Sequence, residues 1–301
     1  MGNSDSIDIS LSRLYQVWYD FRRGKRASTE VMKYQYYLEE NLSKLHTQLA
    51  EGTYRHRGYS EFSVQDSKRR EIAVASMQDR VVHRLLYNYL ERIWDKTFIY
   101  DAWSCRKGKG QHEAVTRALT FMRKYAQSWV WRADITKFFD SVDQEIVLRL
   151  IKRRVHCPTA LWLIEDVLAS YSKNSPGRGM PIGNLTSQIF ANIYLNELDR
   201  LMVHELKPLA YLRYGDDWLC FARSKEELEA LRTRAIAFIE NELKLSLSTK
   251  LNCIVPVYKG VTYLGVDIWR GGLRVMRPTQ GRVLHRITSE NYASYEAHVR
   301  K

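Results

Sequence analysis

Three observations predict an α+β fold. From Trp129 onward the strand and helix patterns follow the order β-α-β-β-α-β, once a helix near Ser141 and the Ser/Gly/Pro-rich loop after it are set aside. Before that point the chain reads as mostly helical and basic. The composition, 45% hydrophobic and 12% aromatic, supports a sizeable buried core and argues against disorder. No low-complexity linker or internal repeat interrupts the 301 residues. At ~100–200 residues per domain the chain is one large domain or two to three closely joined subdomains.

The N-terminal part opens with an aromatic-rich helix over Leu11 to Phe21, which runs into the basic cluster Arg22, Arg23, Lys25 and Arg26. A second helix is expected over about Glu30 to Ala50, with Leu38, Leu42, Leu45 and Leu49 at helical spacing. Glu61–Val64 and Ile72–Val74 are short strand candidates around a charged turn, Asp66 to Arg70. Asp79 to Trp94 is amphipathic, with Val82, Leu85, Leu86, Tyr89 and Ile93 on one face. Between Arg106 and Lys124 basic residues outnumber acids, and Gly108 and Gly110 among them would let backbone approach a phosphate.

The second half supplies the sheet. A strand is expected over Trp129–Asp134, then a helix opened by a capping box, Ser141 with Gln144. A long helix follows from near Asn184 to near Leu206. Tyr211–Tyr214 and Trp218–Ala222 form a hairpin across Gly215-Asp216, because glycine at the first turn position is a hairpin signal. A helix over about Lys225–Leu243 and a strand from Leu245 complete the order, and a last hairpin runs from Val261 to Val275.

Lys and Arg total 47 against 34 acids, a formal charge of +13. That balance favours a polyanionic partner, nucleic acid before an acidic membrane surface. No run approaches the ~18 apolar residues of a membrane helix, and no basic-then-apolar opening marks a secretory signal. The four cysteines are scattered without a CxxC pair, which rejects a zinc ribbon or disulfide framework and suits the reducing cytoplasm.

Three aspartates carry the chemistry. Asp134 ends an apolar strand, and Asp216 and Asp217 lie at the tip of the hairpin. In a β-α-β-β sheet the first strand lies beside the hairpin, so the three can meet. Clustered carboxylates repel unless cations neutralise them. Two Mg²⁺ ions would do so and would align a phosphoryl displacement. Gly215, lacking a Cβ, would let a primer end approach the backbone.

These residues carry a resemblance. Asp134-Ile-Thr-Lys-Phe-Phe139-Asp, Tyr214-Gly215-Asp216-Asp217 and Val261-Thr-Tyr-Leu-Gly265 resemble motifs A, C and E of reverse transcriptases. Arg70–Val74 with Asp79-Arg-Val-Val, and Trp103 to His112, resemble the fingers segments of the same family, so the similarity spans most of the chain. Most such enzymes carry Gln-Gly-x-x-x-Ser-Pro before the long palm helix. Here the segment reads Ile182-Gly183-Asn184-Leu185-Thr186-Ser187-Gln188, which resembles the enzymes of diversity-generating retroelements. Those bacterial or phage enzymes copy a template RNA with errors at template adenines and work with a small accessory variability protein. They mostly show Met where this chain has Gly215.

The resemblance implies a right-hand polymerase. Residues 1–128 and 145–178 would be fingers, 129–144 and 179–269 palm, and 270–301 a minimal thumb with one helix over Thr279–His298. Asp134, Asp216 and Asp217 would be the catalytic and metal site for two Mg²⁺, with Mn²⁺ a substitute, and Lys250 a proton donor to pyrophosphate. Lys68 and Arg70 would hold the triphosphate; a guanidinium suits phosphate oxygens. Phe139 would exclude a ribose 2′-hydroxyl, which favours dNTPs and argues against an RNA-copying RNA polymerase. Ile182, Gly183 and Gln188 would border the nucleotide, with Ser187, Gln188 and Asn192 on a polar helix face. Loss of an amide at Ile182 is expected to relax pairing discrimination. Arg106, Lys107, Lys109, Tyr214 and Gly215 would contact the template RNA and its DNA or RNA primer.

Three functions stay open on the sequence: a retroelement reverse transcriptase, a phage-defence or other stand-alone reverse transcriptase, and a non-catalytic RNA-binding scaffold. The intact aspartates speak against the last.

Overall fold

The computed structural model describes residues 6–25, 28–65, 69–173 and 175–276. The helices and strands begin with α1 (Leu11–Arg22), α2 (Thr29–Tyr36), α3 (Leu38–Ala50), β1 (Tyr59–Gln65), β2 (Arg69–Ala75), α4 (Met77–Trp94) and α5 (Gln111–Lys124). Then come β3 (Trp129–Asp134), α6 (Phe138–Ser141), α7 (Gln144–Lys152), α8 (Pro158–Ala169) and α9 (Leu185–Arg200). The chain continues with β4 (Ala210–Tyr214), β5 (Asp217–Ala222), α10 (Lys225–Asn241), β6 (Cys253–Pro256), β7 (Val261–Tyr263), β8 (Val266–Trp269) and β9 (Gly272–Val275). Two compact units divide these elements: Met1–Phe98 with Lys137–Tyr194, and Ile99–Thr136 with Leu195–Lys301. The helix expected over Thr279–His298, with Lys68 and Arg26, lies outside the described residues. Among the described residues no helix is long and apolar enough to cross a membrane.

The first unit is helical with one β-ribbon. Ser10 caps α1 through the Arg13 amide, and Leu14, Val17, Trp18 and Phe21 turn inward against α3 and α4. The helix expected over 30–50 is two helices. Tyr37 leaves helical geometry at φ −105°, ψ 32°, and the Asn41 side chain donates to the Tyr34 carbonyl across the break. The leucine stripe belongs to α3, where all four leucines are buried. The expected capping box at Ser141 does not form. Ser141 closes the short α6, and Asp143 caps α7, accepting from the amides of Glu145 and Ile146. The Gln144 side chain donates instead to the carbonyls of Tyr171 and Gly179 at 2.7 and 2.9 Å.

The second unit holds the sheet. Its order is β4-β5-β3-β6 with every neighbour antiparallel, the split β-α-β-β-α-β arrangement. Pleating sorts its side chains. Val130, Leu212, Leu219 and Phe221 pack on one face with Ala114, Ala118 and Phe121 of α5 and with Tyr263 and Ile268. Trp131, Tyr211, Arg213, Trp218 and Cys220 alternate to the other face. The strand expected from Leu245 starts later, at Cys253, and Leu247 makes only an isolated bridge to Ile135. The last hairpin is a three-stranded meander, because Leu264-Gly265 adds a turn before Arg270-Gly271.

The caps separate cleanly in a stability experiment. Asp143→Ala should cost about 1 kcal/mol in urea unfolding, and Ser141→Ala much less than that. Equal losses would restore Ser141 as the cap.

Candidate active site

Register builds the carboxylate end of the sheet. In the β3–β5 pair Asp134 is the partner of Asp217, and in the β4–β5 pair Tyr214 is the partner of Asp217. That leaves Gly215-Asp216 as a two-residue hairpin loop. Gly215 has φ +62° and Asp216 is not among the positive-φ residues, the pattern of a type II′ turn. A Cβ on Gly215 would meet only Ser104 Oγ, at 3.9 Å, so conformation rather than crowding favours glycine. All three aspartates therefore sit within the second unit, two of them paired across strands and one in the adjoining turn.

The cation that answers this charge is Arg132, which the sequence reading did not single out. Arg132 and Asp134 share a strand face, and Asp217 is their cross-strand neighbour on that face. Arg132 Nη2 donates to Asp217 Oδ2 at 2.9 Å, and Nε to Oδ1 at 3.3 Å. Burial still dominates: it pushes the Asp217 carboxyl up to about 6, with Arg132 pulling down and Asp216 adding to the rise. From the other side the Tyr263 hydroxyl donates to the Asp217 carbonyl at 3.4 Å, which ties the Val261–Gly265 segment to the same strand end. Beyond β3, the Ser248 amide donates to the Asp134 carbonyl at 2.7 Å and the Thr136 amide to the Ser246 carbonyl at 2.8 Å. Lys250 follows in an exposed turn. Among the described residues no group of three or more His, Cys, Asp or Glu is arranged to hold a metal ion.

The basic segment of this unit is more committed than its composition suggests. Arg106 Nη1 donates to the carbonyls of Ile99 and Ala102. Lys109 bonds the Tyr100 carbonyl and lies over the Tyr100 and Trp103 rings at 3.9 and 4.3 Å. Lys107 is exposed.

The remaining site candidates belong to the first unit. Arg70 is exposed on β2, across from Val64. The Ala73 amide donates to the Ile182 carbonyl at 3.2 Å, and the Asn184 side chain to the Ala73 carbonyl at 2.7 Å. Gly183 fits between them at φ +102°, where a Cβ would lie 3.0 Å from Ile72. Phe138, not Phe139, is the buried ring of its pair; Phe139 is half-buried and its carbonyl accepts from Met180. The polar helix face expected from Ser187, Gln188 and Asn192 is largely inside: Ser187 and Asn192 are buried and only Gln188 is half-exposed.

A histidine chain anchors the start of α9. His56 Nδ1 accepts from the Gly58 amide, so its Nε2 carries the proton and donates to His83 Nε2 at 3.0 Å. His83 Nδ1 then donates to Thr186 Oγ1 at 2.5 Å. Burial depresses both imidazoles, His83 to about 3, which keeps the chain neutral.

The family model described as reverse transcriptase (RNA-dependent DNA polymerase) matches residues 61–268. Protein YkfC of Escherichia coli is 25% identical over 275 residues, 77% of this chain and 71% of that protein. The group II intron-encoded protein LtrA of Lactococcus lactis is 23% identical over 76% of this chain, which spans 50% of LtrA. Among solved structures, telomerase of Candida tropicalis is similar at a TM-score of 0.53 and 12% identity, over 79% of this chain and 53% of its own. Telomerase of Candida albicans, solved with a fragment of telomeric RNA, gives 0.55 and 9%, over 80% and 49%. Both share the fold.

Arg132 sets a pH signature. In Arg132→Gln the Asp217 midpoint, followed by carboxylate NMR without divalent metal, should rise above the wild-type value of about 6. A folded pKa above the unfolded ~3.9 means stability is lost as pH rises through it. The variant should therefore lose more stability at pH 7 than at pH 5. A pH-independent loss would show that Arg132 does not answer the Asp217 charge.

Proposed function

The chain belongs to the reverse transcriptase (RNA-dependent DNA polymerase) family, and from that premise we propose that it copies a template RNA into cDNA from a DNA or RNA primer. The observation that carries the reading is the register that sets Asp134 across from Asp217 beside the Gly215-Asp216 turn. Members of the family use divalent metal ions. Mg²⁺, or Mn²⁺ in its place, would neutralise the triphosphate and activate the primer hydroxyl. Asp134 and Asp216 would hold it, and Asp217, charge-matched by Arg132, would keep the strand end fixed. Lys250, exposed in its turn, is free to act as proton donor in this reading. Lys68 and Arg70 would bind the triphosphate, and Phe139 would screen the sugar 2′-position.

The finer reading is an error-prone enzyme of a diversity-generating retroelement, working with template RNA and a small accessory variability protein. Ile182 and Gln188, which replace the usual Gln and Pro, support it. A stand-alone or phage-defence enzyme is the second reading, favoured by Gly215 where the retroelement enzymes mostly carry Met. A template/variable repeat pair with adenine-biased differences beside the gene decides for the first, and its absence for the second. The fingers, palm and thumb boundaries given from the resemblance belong to the same proposal, as does a cytoplasmic site of action.

Primer extension on an RNA template tests the reading. The wild type should add dNTPs only with a divalent metal, and Asp134→Ala and Asp216→Ala should add none. Phe139→Ala should accept ribonucleotides that the wild type rejects. Ile182→Gln should lower misincorporation opposite template adenine by roughly tenfold or more. Extension that survives Asp216→Ala would remove the catalytic assignment, and an unchanged error rate would remove the role of Ile182.

A further inference from the structure

A salt bridge on the far face of the sheet bears on the same turn. Arg213 lies in β4, and its side chain is 1% exposed; Asp199 of α9 is 0% exposed. Arg213 Nε donates to Asp199 Oδ1 at 2.7 Å and Nη2 to Asp199 Oδ2 at 2.6 Å. The Tyr211 hydroxyl donates to Asp199 Oδ1 at 2.9 Å. The remaining arm of the fork, Nη1, donates to the carbonyl of Gly215 at 2.9 Å. Burial opposes the guanidinium charge, and Asp199 outweighs it, so Arg213 stays cationic.

Such a pair is a poor stability device. Desolvating two ions can cost more than their attraction returns, and well-packed apolar residues often do as well. The surrounding strand positions, Leu212, Trp218 and Leu219, are apolar and fully buried. What an apolar residue could not supply is a charged donor to the Gly215 carbonyl.

That carbonyl belongs to the peptide that decides the turn. A two-residue hairpin loop with glycine first can be type I′ or type II′, which differ in the orientation of the central peptide. Type I′ would force Asp216 to positive φ, and type II′ does not. Glycine permits both. A charge-assisted bond to the Gly215 oxygen holds the central peptide one way and so fixes the path into Asp216.

The scaffold behind the guanidinium is itself pinned. The Arg213 amide donates to the Asp101 carbonyl at 2.9 Å, and its carbonyl accepts from the Trp103 amide at 2.8 Å. The Asp101 carboxylate is held by Arg117 through two bonds of 2.8 and 2.9 Å. We propose that Arg213, oriented by Asp199, is a positioning residue that locks the Gly215-Asp216 turn in the geometry the reaction uses. The inference rests on the reading of Asp216 as a catalytic carboxylate.

Arg213→Lys keeps a cation for Asp199 but loses the planar fork that reaches both Asp199 and the turn. Leu228→Ala, a core truncation in α10, serves as a control for general destabilisation. The full chain is followed by single-nucleotide extension and by hydrogen exchange of a peptide covering residues 210–222. Arg213→Lys should lower kcat about a hundredfold with KM for dNTP within about twofold, because misplacement of a reacting group acts on the chemical step. Exchange at the turn should quicken in Arg213→Lys and not in the control. If Arg213→Lys does not fold, Asp199→Glu, which keeps both charges and shifts the carboxylate by a methylene, should give the same split. Unchanged kcat and unchanged exchange in the folded variant would overturn the proposal, as would a loss that the control reproduces. A wild-type protein that adds no nucleotide would overturn the assigned reaction instead, and the exchange comparison would then decide the positioning role alone.

Discussion

The pairing of β3 with β5 is the constraint on which the second unit turns. It places one aspartate across from another at a strand end where solvent is largely excluded. A carboxylate as shielded from water as Asp217 is costly to keep charged without an answering cation. Arg132, two residues before Asp134 on the same face, supplies it through a fork to Asp217. The Tyr263 hydroxyl and the Ser248 amide then hold the backbone on either side, so the meander and the segment before β6 are both tied to this strand end.

Charge is also buried on the opposite face of the sheet. Arg132 and Asp217 lie on the face that α5 covers, and Arg213 with Asp199 on the reverse. An apolar sheet of this size would fold without either pair. Their common feature is that each has an end on the Tyr214–Asp217 hairpin: one on the Asp217 carboxylate, the other on the Gly215 carbonyl. The sheet thus spends stability on fixing one turn, which is the expected trade at a site whose atoms must be held to within a fraction of an ångström.

The sheet was legible in the sequence because its strands alternate and its turns carry glycine. The order of four strands and the hairpin at Gly215-Asp216 follow from that pattern. The helices were less legible where polar side chains serve the interior. Ser187 and Asn192 read as a solvated or ligand-facing stripe, yet they are buried, because α9 is enclosed on nearly every side. Ser141 and Gln144 match a capping box by spacing, but Asp143 accepts from the Glu145 and Ile146 amides and the Gln144 side chain donates to the carbonyls of Tyr171 and Gly179 beyond α8. The partnerships of Arg132, Asp199 and Arg213 are not legible from local spacing, which does not pair residues on different elements. A signal was present: an arginine inside each of two otherwise apolar strands is costly unless a carboxylate awaits it. The charge of +13 also needs subdividing, since Arg106 and Lys109 are engaged by carbonyls and rings within their own unit.

The histidine chain gives the first unit a comparable internal logic. Neutral imidazoles pass one hydrogen-bond direction from the Gly58 amide to Thr186. The Ile182–Asn184 segment just before it is held to β2 through both backbone groups of Ala73. The central claim, that Asp134 and the Gly215-Asp216 turn carry cDNA synthesis on an RNA template, is tested most directly by sequencing DNA from cells that express the chain with its native flanking sequence. Reads complementary to an expressed RNA, absent in Asp216→Ala, are expected, with substitutions gathered at template adenines if the retroelement reading holds. The same reads at the same level in Asp216→Ala, or none in the wild type, would contradict it.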